Sequence, residues 1–129
     1  MMNGDLRTPL ARARGLGSAK AGVAHWWAQR LTAIALIPLV VWFAISLVML
    51  SGADYAMARA WIGSPRVMVL LILTIGIGLH HGQLGLQVVI EDYIHSDGWK
   101  LALIVIVKFI AAAFGLAAIL AILRIGLGA

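Results

Sequence analysis

His80 and His81 stand side by side in a long apolar run, and polarity returns shortly afterwards at Glu91-Asp92-Tyr93. An imidazole in such a run is suited to holding a metal, relaying a proton or bonding to a neighbouring helix. A carboxylate beside a phenol, placed where the run ends, can donate, accept and relay protons at a polar boundary. At about 1.5 Å of rise per residue, Asp92 lies roughly 16 Å along a helix from His81. That is about half of a bilayer's roughly 30 Å hydrocarbon core. One end of the stretch therefore belongs near a membrane midplane and the other at its surface.

The elements that must position these residues are three apolar runs, Leu31–Leu50, Val67–Ile90 and Leu101–Leu123, each meeting the roughly 20 residues a spanning helix needs. Only the third contains a charge, Lys108. Of 129 residues, 63% are hydrophobic and 12% charged, about half the charged share of an ordinary soluble domain. The expected fold is all-α: an integral membrane protein with three transmembrane helices, residues 25–129, behind a basic arm, residues 1–24. So little lies outside the spans that there is no room for a soluble catalytic domain. Lipid gives helices no hydrophobic reason to associate, so a partner subunit is expected. The absence of cysteine excludes disulfides, thiolate-held iron–sulfur clusters and covalent c-type haem. Any redox cofactor must be held by histidine or by a partner.

The net charge of +5 has its explanation in topology rather than in nucleic acid. Arg7, Arg12, Arg14, Lys20 and Arg30 precede or open the first run, Arg59 and Arg66 lie in the first loop, Lys100 in the second, and Arg124 at the far end. The bias places the N-terminus and the Asp92-Tyr93 end in the cytoplasm and the C-terminus in the periplasm. The basic stretch is longer than a signal peptide's n-region, and the first span is expected to be retained. Trp26 and Trp27 suit the headgroup level. Arg30 either snorkels to the surface or turns inward to pair with a carboxylate, and His25 is close enough to share either role. Pro38 is expected to bend the first span, and Ser64-Pro65 to start the second. Lys108 is expected about two turns inside the third span, either snorkelling or making a polar contact. Gly76, Gly78, Gly82 and Gly85 surround the histidines; Gly78 and Gly82 form a small-xxx-small pattern that permits close helix approach.

Haem needs a neutral imidazole nitrogen on iron, and a bis-histidine site needs two on opposite faces. Adjacent helical residues project about 100° apart, so His80 and His81 cannot clamp one haem between them. One can ligate, with the second ligand drawn from another subunit; the alternative for each is an interhelical hydrogen bond. A quinone headgroup needs donors to its carbonyls and a proton route. Tyr93 can donate and Asp92 can relay; the alternative is an interfacial tyrosine beside a helix-end aspartate.

His81-x-x-x-Gly85 followed by Asp92-Tyr93, and preceded by Trp26-x-x-Gln29-Arg30-x-Thr32-Ala33, resembles the small hydrophobic membrane anchor subunits of succinate dehydrogenase, alphaproteobacterial in type, from about Thr8 to the third span. The resemblance implies half of a heterodimeric haem-binding anchor bundle in the bacterial inner membrane. It implies His81 as an axial ligand of haem b, the other ligand coming from a larger cytochrome b subunit. Arg30, and less securely His25, would lie near a haem propionate, and Asp92 and Tyr93 at the ubiquinone site. An iron–sulfur subunit and a flavoprotein subunit would carry succinate oxidation, leaving this chain a non-catalytic anchor. A register shift would put His80 in place of His81. The competing expectations are a non-redox structural or assembly subunit with three spans, and a fumarate reductase anchor working in the opposite direction.

Overall fold

The computed structural model describes residues 8–14 and 20–128, and these contain helices and connecting turns but no strand. A short helix, α1 (Pro9–Arg14), opens on Thr8, whose hydroxyl accepts from the Ala11 amide at 3.1 Å. Three long helices follow, α2 (Lys20–Met49), α4 (Pro65–Tyr93) and α5 (Asp97–Leu127), with a short α3 (Tyr55–Ile62) between the first two. All three long helices are long and apolar enough to cross a membrane. At about 1.5 Å per residue, the 29 residues of α4 reach roughly 43 Å, beyond the roughly 30 Å of hydrocarbon. Each helix therefore runs past the apolar segment the sequence marks out. α2 begins within the basic arm. Backbone hydrogen bonding has no reason to stop where hydropathy does, since the helix end must reach water or headgroups before its last carbonyls can be satisfied.

The ends have local causes. Pro65 occupies the first position of α4, where its missing N–H costs nothing. Asp97 sits in the first turn of α5, favoured by the positive end of the dipole. Gly128 closes α5 with φ 74°, its amide bonded to the Arg124 carbonyl, a left-handed cap that glycine adopts without strain. α2 continues unbroken through Pro38.

The sequence reading had no helix in the first loop, and α3 is the addition. Gly52, at φ 89°, turns the chain out of α2, and Asp54 then accepts from the Met57 amide at 2.8 Å as an N-cap. Trp61 stacks on Trp42 of α2 with ring centroids 6.0 Å apart and planes at 18°. An eight-residue helix held by one cap and one aromatic stack falls below the length that apolar periodicity reveals.

α4 is the middle helix: its backbone runs close to that of α2 on one side and to that of α5 on the other, and no such backbone approach joins α2 to α5. Leu71, Leu84 and Ile122 are the buried apolar side chains among the described residues; most others face outward. In water this would be an unstable fold. In lipid it is a thin bundle with wide apolar surfaces left for acyl chains or further helices. The α4–α5 contact is close enough that a Cβ on Gly115 would come within 3.2 Å of Leu79 Cδ1, and one on Gly126 would collide with Met68. Replacing Gly115 with leucine should therefore lower stability by about 1–3 kcal/mol through overpacking. Gly98→Ala, where a Cβ meets nothing within 4 Å, should be neutral or mildly stabilising. Thermal unfolding of the detergent-solubilised protein, followed by its helical signal, separates the two.

Candidate functional site

His81 is the seventeenth of the 29 residues of α4 and so sits near the centre of a spanning helix. Its side chain is half-buried in the seam between α2 and α4, where Nδ1 lies 2.9 Å from Thr32 Oγ1. Thr32 Oγ1 also lies 2.6 Å from the Ala28 carbonyl oxygen and 3.1 Å from that of Gln29, both one turn back on α2. The other ring nitrogen of His81 has no hydrogen-bond partner among the described residues and is not sealed from the surface.

The seam keeps an antiparallel register on either side of this bond. One turn towards the start of α2, Gln29 approaches Gly85, with 3.6 Å between its Nε2 and the position of a Cβ there. One turn the other way, Leu36 faces Gly78 at 3.8 Å measured the same way. Gly78 of the small-xxx-small pair thus meets α2, as does Gly85, whereas its other member, Gly82, has nothing within 4 Å of a Cβ and takes no part in this close approach. Carried on by one turn, the register sets His25 level with Val88 and Val89. His25, Gln29 and Thr32 thus form an i, i+4, i+7 stripe on α2 facing α4. Two atoms of that stripe, His25 Nε2 and Gln29 Oε1, are buried without a hydrogen-bond partner. Buried polar atoms of this kind are costly, so they call for a group from outside this chain, or for water.

His80 points elsewhere. It lines a cleft of about 400 Å³ between α4 and α5 together with Gln83 and Lys108, over a floor that includes Gly76, Ala112 and Gly115. Gln83 Nε2 lies 3.4 Å from His80 Nδ1. Lys108 is eleven residues from the start of α5, about 16 Å along the axis. Counted from the apolar boundary at Leu101 it lies about two turns in, and its side chain is exposed.

Asp92 continues the helical face of His81, Gly85 and Val88 to the end of α4, and Tyr93 is turned about 100° from it. Both are exposed, Tyr93 at 76%. Glu91 bonds back to Gln87 Nε2 at 2.8 Å and so holds the last turn. Arg30 is not brought to His81. Its guanidinium carbon sits 4.5 Å over the Trp26 ring, which packs edge-on against Trp27 with centroids 5.0 Å apart. A cation over an indole at the expected headgroup level is worth about 0.5–1 kcal/mol. The structure therefore joins His81 to Thr32 and Gln29, aligns His25 and Asp92 along the same seam, and leaves Arg30 and Tyr93 outward. Thr32 and Gln29 entered the sequence reading only as parts of a motif. Their signal was polar spacing of three and four residues with His25 on an otherwise apolar helix.

The family model described as succinate dehydrogenase/fumarate reductase transmembrane subunit matches residues 4–117. The chain belongs to that family. Among its relatives is the succinate dehydrogenase hydrophobic membrane anchor subunit of Paracoccus denitrificans, 35% identical over 122 residues that cover 95% of this chain and 94% of the relative. The equally named proteins of Rickettsia bellii and Rickettsia conorii are 35% and 36% identical, over 83% and 81% of this chain and 86% and 83% of theirs. No solved structure matches significantly. The long apolar helices are thus those of a multi-pass membrane anchor of the succinate dehydrogenase type, and the purely structural alternative without such a complex is set aside. Among the described residues there is no cluster of three or more potential metal-binding side chains.

Proposed function

We propose that this chain anchors a succinate:quinone oxidoreductase in the bacterial inner membrane, supplies one axial ligand of a haem b and forms part of the quinone-reduction site. The observation that carries the haem reading is His81. It lies at mid-span with one ring nitrogen engaged by Thr32 and the other without a partner. The fit is supported by the orphaned His25 Nε2 in the same seam, a buried polar atom that a haem propionate would satisfy. A bound haem would supply an iron that takes and returns single electrons. What this chain does towards it is to offer the His81 imidazole at a fixed depth in hydrocarbon. The second axial ligand belongs to a larger cytochrome b subunit.

The quinone reading rests on Asp92 and Tyr93. Two-electron reduction of a quinone needs two protons, and the end of α4 is where the seam reaches the polar boundary. The Tyr93 hydroxyl would donate to a quinone carbonyl, and the Asp92 carboxylate would accept and pass on a proton from the aqueous side. Arg30, stacked on Trp26 at the same end of the bundle, supplies positive charge near that boundary and would be the group to meet a propionate. The bias of basic residues favours a cytoplasmic position for this end. There an iron–sulfur subunit and a flavoprotein subunit would dock and carry succinate oxidation. The named relatives are succinate dehydrogenase subunits, which favours succinate oxidation over the reverse reaction; ubiquinone is the acceptor in this reading.

In the purified complex, His81→Ala should abolish the b-type absorption, whereas His80→Ala should leave it in place; the opposite pattern would reassign the ligand. Tyr93→Phe should slow succinate-driven quinone reduction by about tenfold, the upper worth of one hydrogen bond at roughly 1.5 kcal/mol. Succinate oxidation with an artificial soluble acceptor should be unchanged. An equal fall in both rates would remove Tyr93 from the quinone site.

A further inference from the structure

The hydroxyl of Thr32 carries one proton and has three neighbours. Two are carbonyl oxygens, of Ala28 at 2.6 Å and of Gln29 at 3.1 Å, and the third is His81 Nδ1 at 2.9 Å. Carbonyl oxygens only accept. If the hydroxyl gave its proton to the imidazole, its oxygen would stand 2.6 Å from a carbonyl lone pair with nothing between them. The short contact therefore takes the threonine proton, and the ring nitrogen must be the donor: Nδ1–H to Oγ1, Oγ1–H to the Ala28 carbonyl. A neutral imidazole carries a single N–H, so Nε2 keeps its lone pair.

We infer that Thr32 is a positioning residue: it holds His81 in the Nδ1–H tautomer and thereby presents Nε2 as a metal ligand. The inference rests on the reading of His81 as the axial haem ligand and deepens it. It also separates the two neighbouring histidines by direction: His80 Nδ1 lies 3.4 Å from Gln83 Nε2 on its own helix, and no bond across a seam fixes its ring among the described residues. The relay through Thr32 does more than choose a tautomer. It ties the imidazole to the backbone of α2, which limits rotation of the ring. The acceptor on Nδ1–H also raises the electron-donating power of Nε2, as such outer partners do at histidine-ligated metals.

The test uses the whole complex carrying Thr32→Val, Thr32→Ser or His81→Ala, with haem counted per flavin. Haem retention is measured during titration with a competing haem-binding protein, and the haem reduction potential is measured alongside. Valine keeps the shape and removes the acceptor, so haem should be retained about 10–100-fold less tightly and the remaining haem should be easier to reduce. Serine keeps the hydroxyl and should restore both readings. A valine variant with native retention and potential, beside a His81→Ala variant without haem, would overturn the role of Thr32 and leave the ligand in place. His81→Ala retaining its haem would overturn both. If the valine complex fails to assemble, serine decides: a native potential and native retention support the relay, and a haem-depleted serine complex refutes it.

Discussion

An imidazole placed in hydrocarbon must have both ring nitrogens accounted for, because no water is at hand to satisfy either. At His81 this requirement ties two helices together. One nitrogen is met across the seam by Thr32, and that bond can form only if α2 and α4 come close. Gly78 and Gly85, one turn to each side, let them do so. Lipid supplies no hydrophobic force for the approach, so van der Waals contact at the glycines and hydrogen bonds across the seam must hold it. The register, the depth of His81 and the alignment of His25 and Gln29 all follow from the same contact.

The central helix is used differently on its different faces. Towards α2 it carries His81, Gly78 and Gly85, and Asp92 ends the same helical face. Towards α5 it is fastened by close packing around Gly115 and Gly126, and it shares the cleft where His80, Gln83 and Lys108 meet. The rest of the surface is apolar and open, which suits a subunit whose other contacts are acyl chains and neighbouring helices. This division leaves the polar side chains of His25, Gln29, Thr32 and His81 gathered along one seam and much of the remaining helix surface free for lipid and assembly.

Placing polar residues along a seam also has a cost that this chain does not settle by itself. His25 Nε2 and Gln29 Oε1 are buried without partners, and Lys108 lies about three turns from the start of its helix. Such groups are tolerated in lipid when a second subunit, a cofactor or ordered water completes them. The incomplete polar seam is thus the structural counterpart of membership in a family of multisubunit membrane complexes.

Much of this architecture was legible in the sequence. Three apolar runs of spanning length leave an α-helical membrane protein as the one way to satisfy every backbone group in lipid, and the lack of cysteine restricts cofactor chemistry to histidine. His81, Asp92 and Tyr93 stand out because polar side chains in and beside such runs are expensive. Helix lengths were underestimated, since hydropathy marks the hydrocarbon and helices continue beyond it. α3 was invisible, being too short for periodicity to register and held by Trp61 on Trp42, a contact between residues nineteen apart. Which histidine faces α2 is a matter of helix rotation, and adjacent residues in one apolar run give no local sign of it. Only the packed structure turns His81 to Thr32 and His80 to Gln83, because the direction of a side chain is set by which faces of α4 meet its two neighbours.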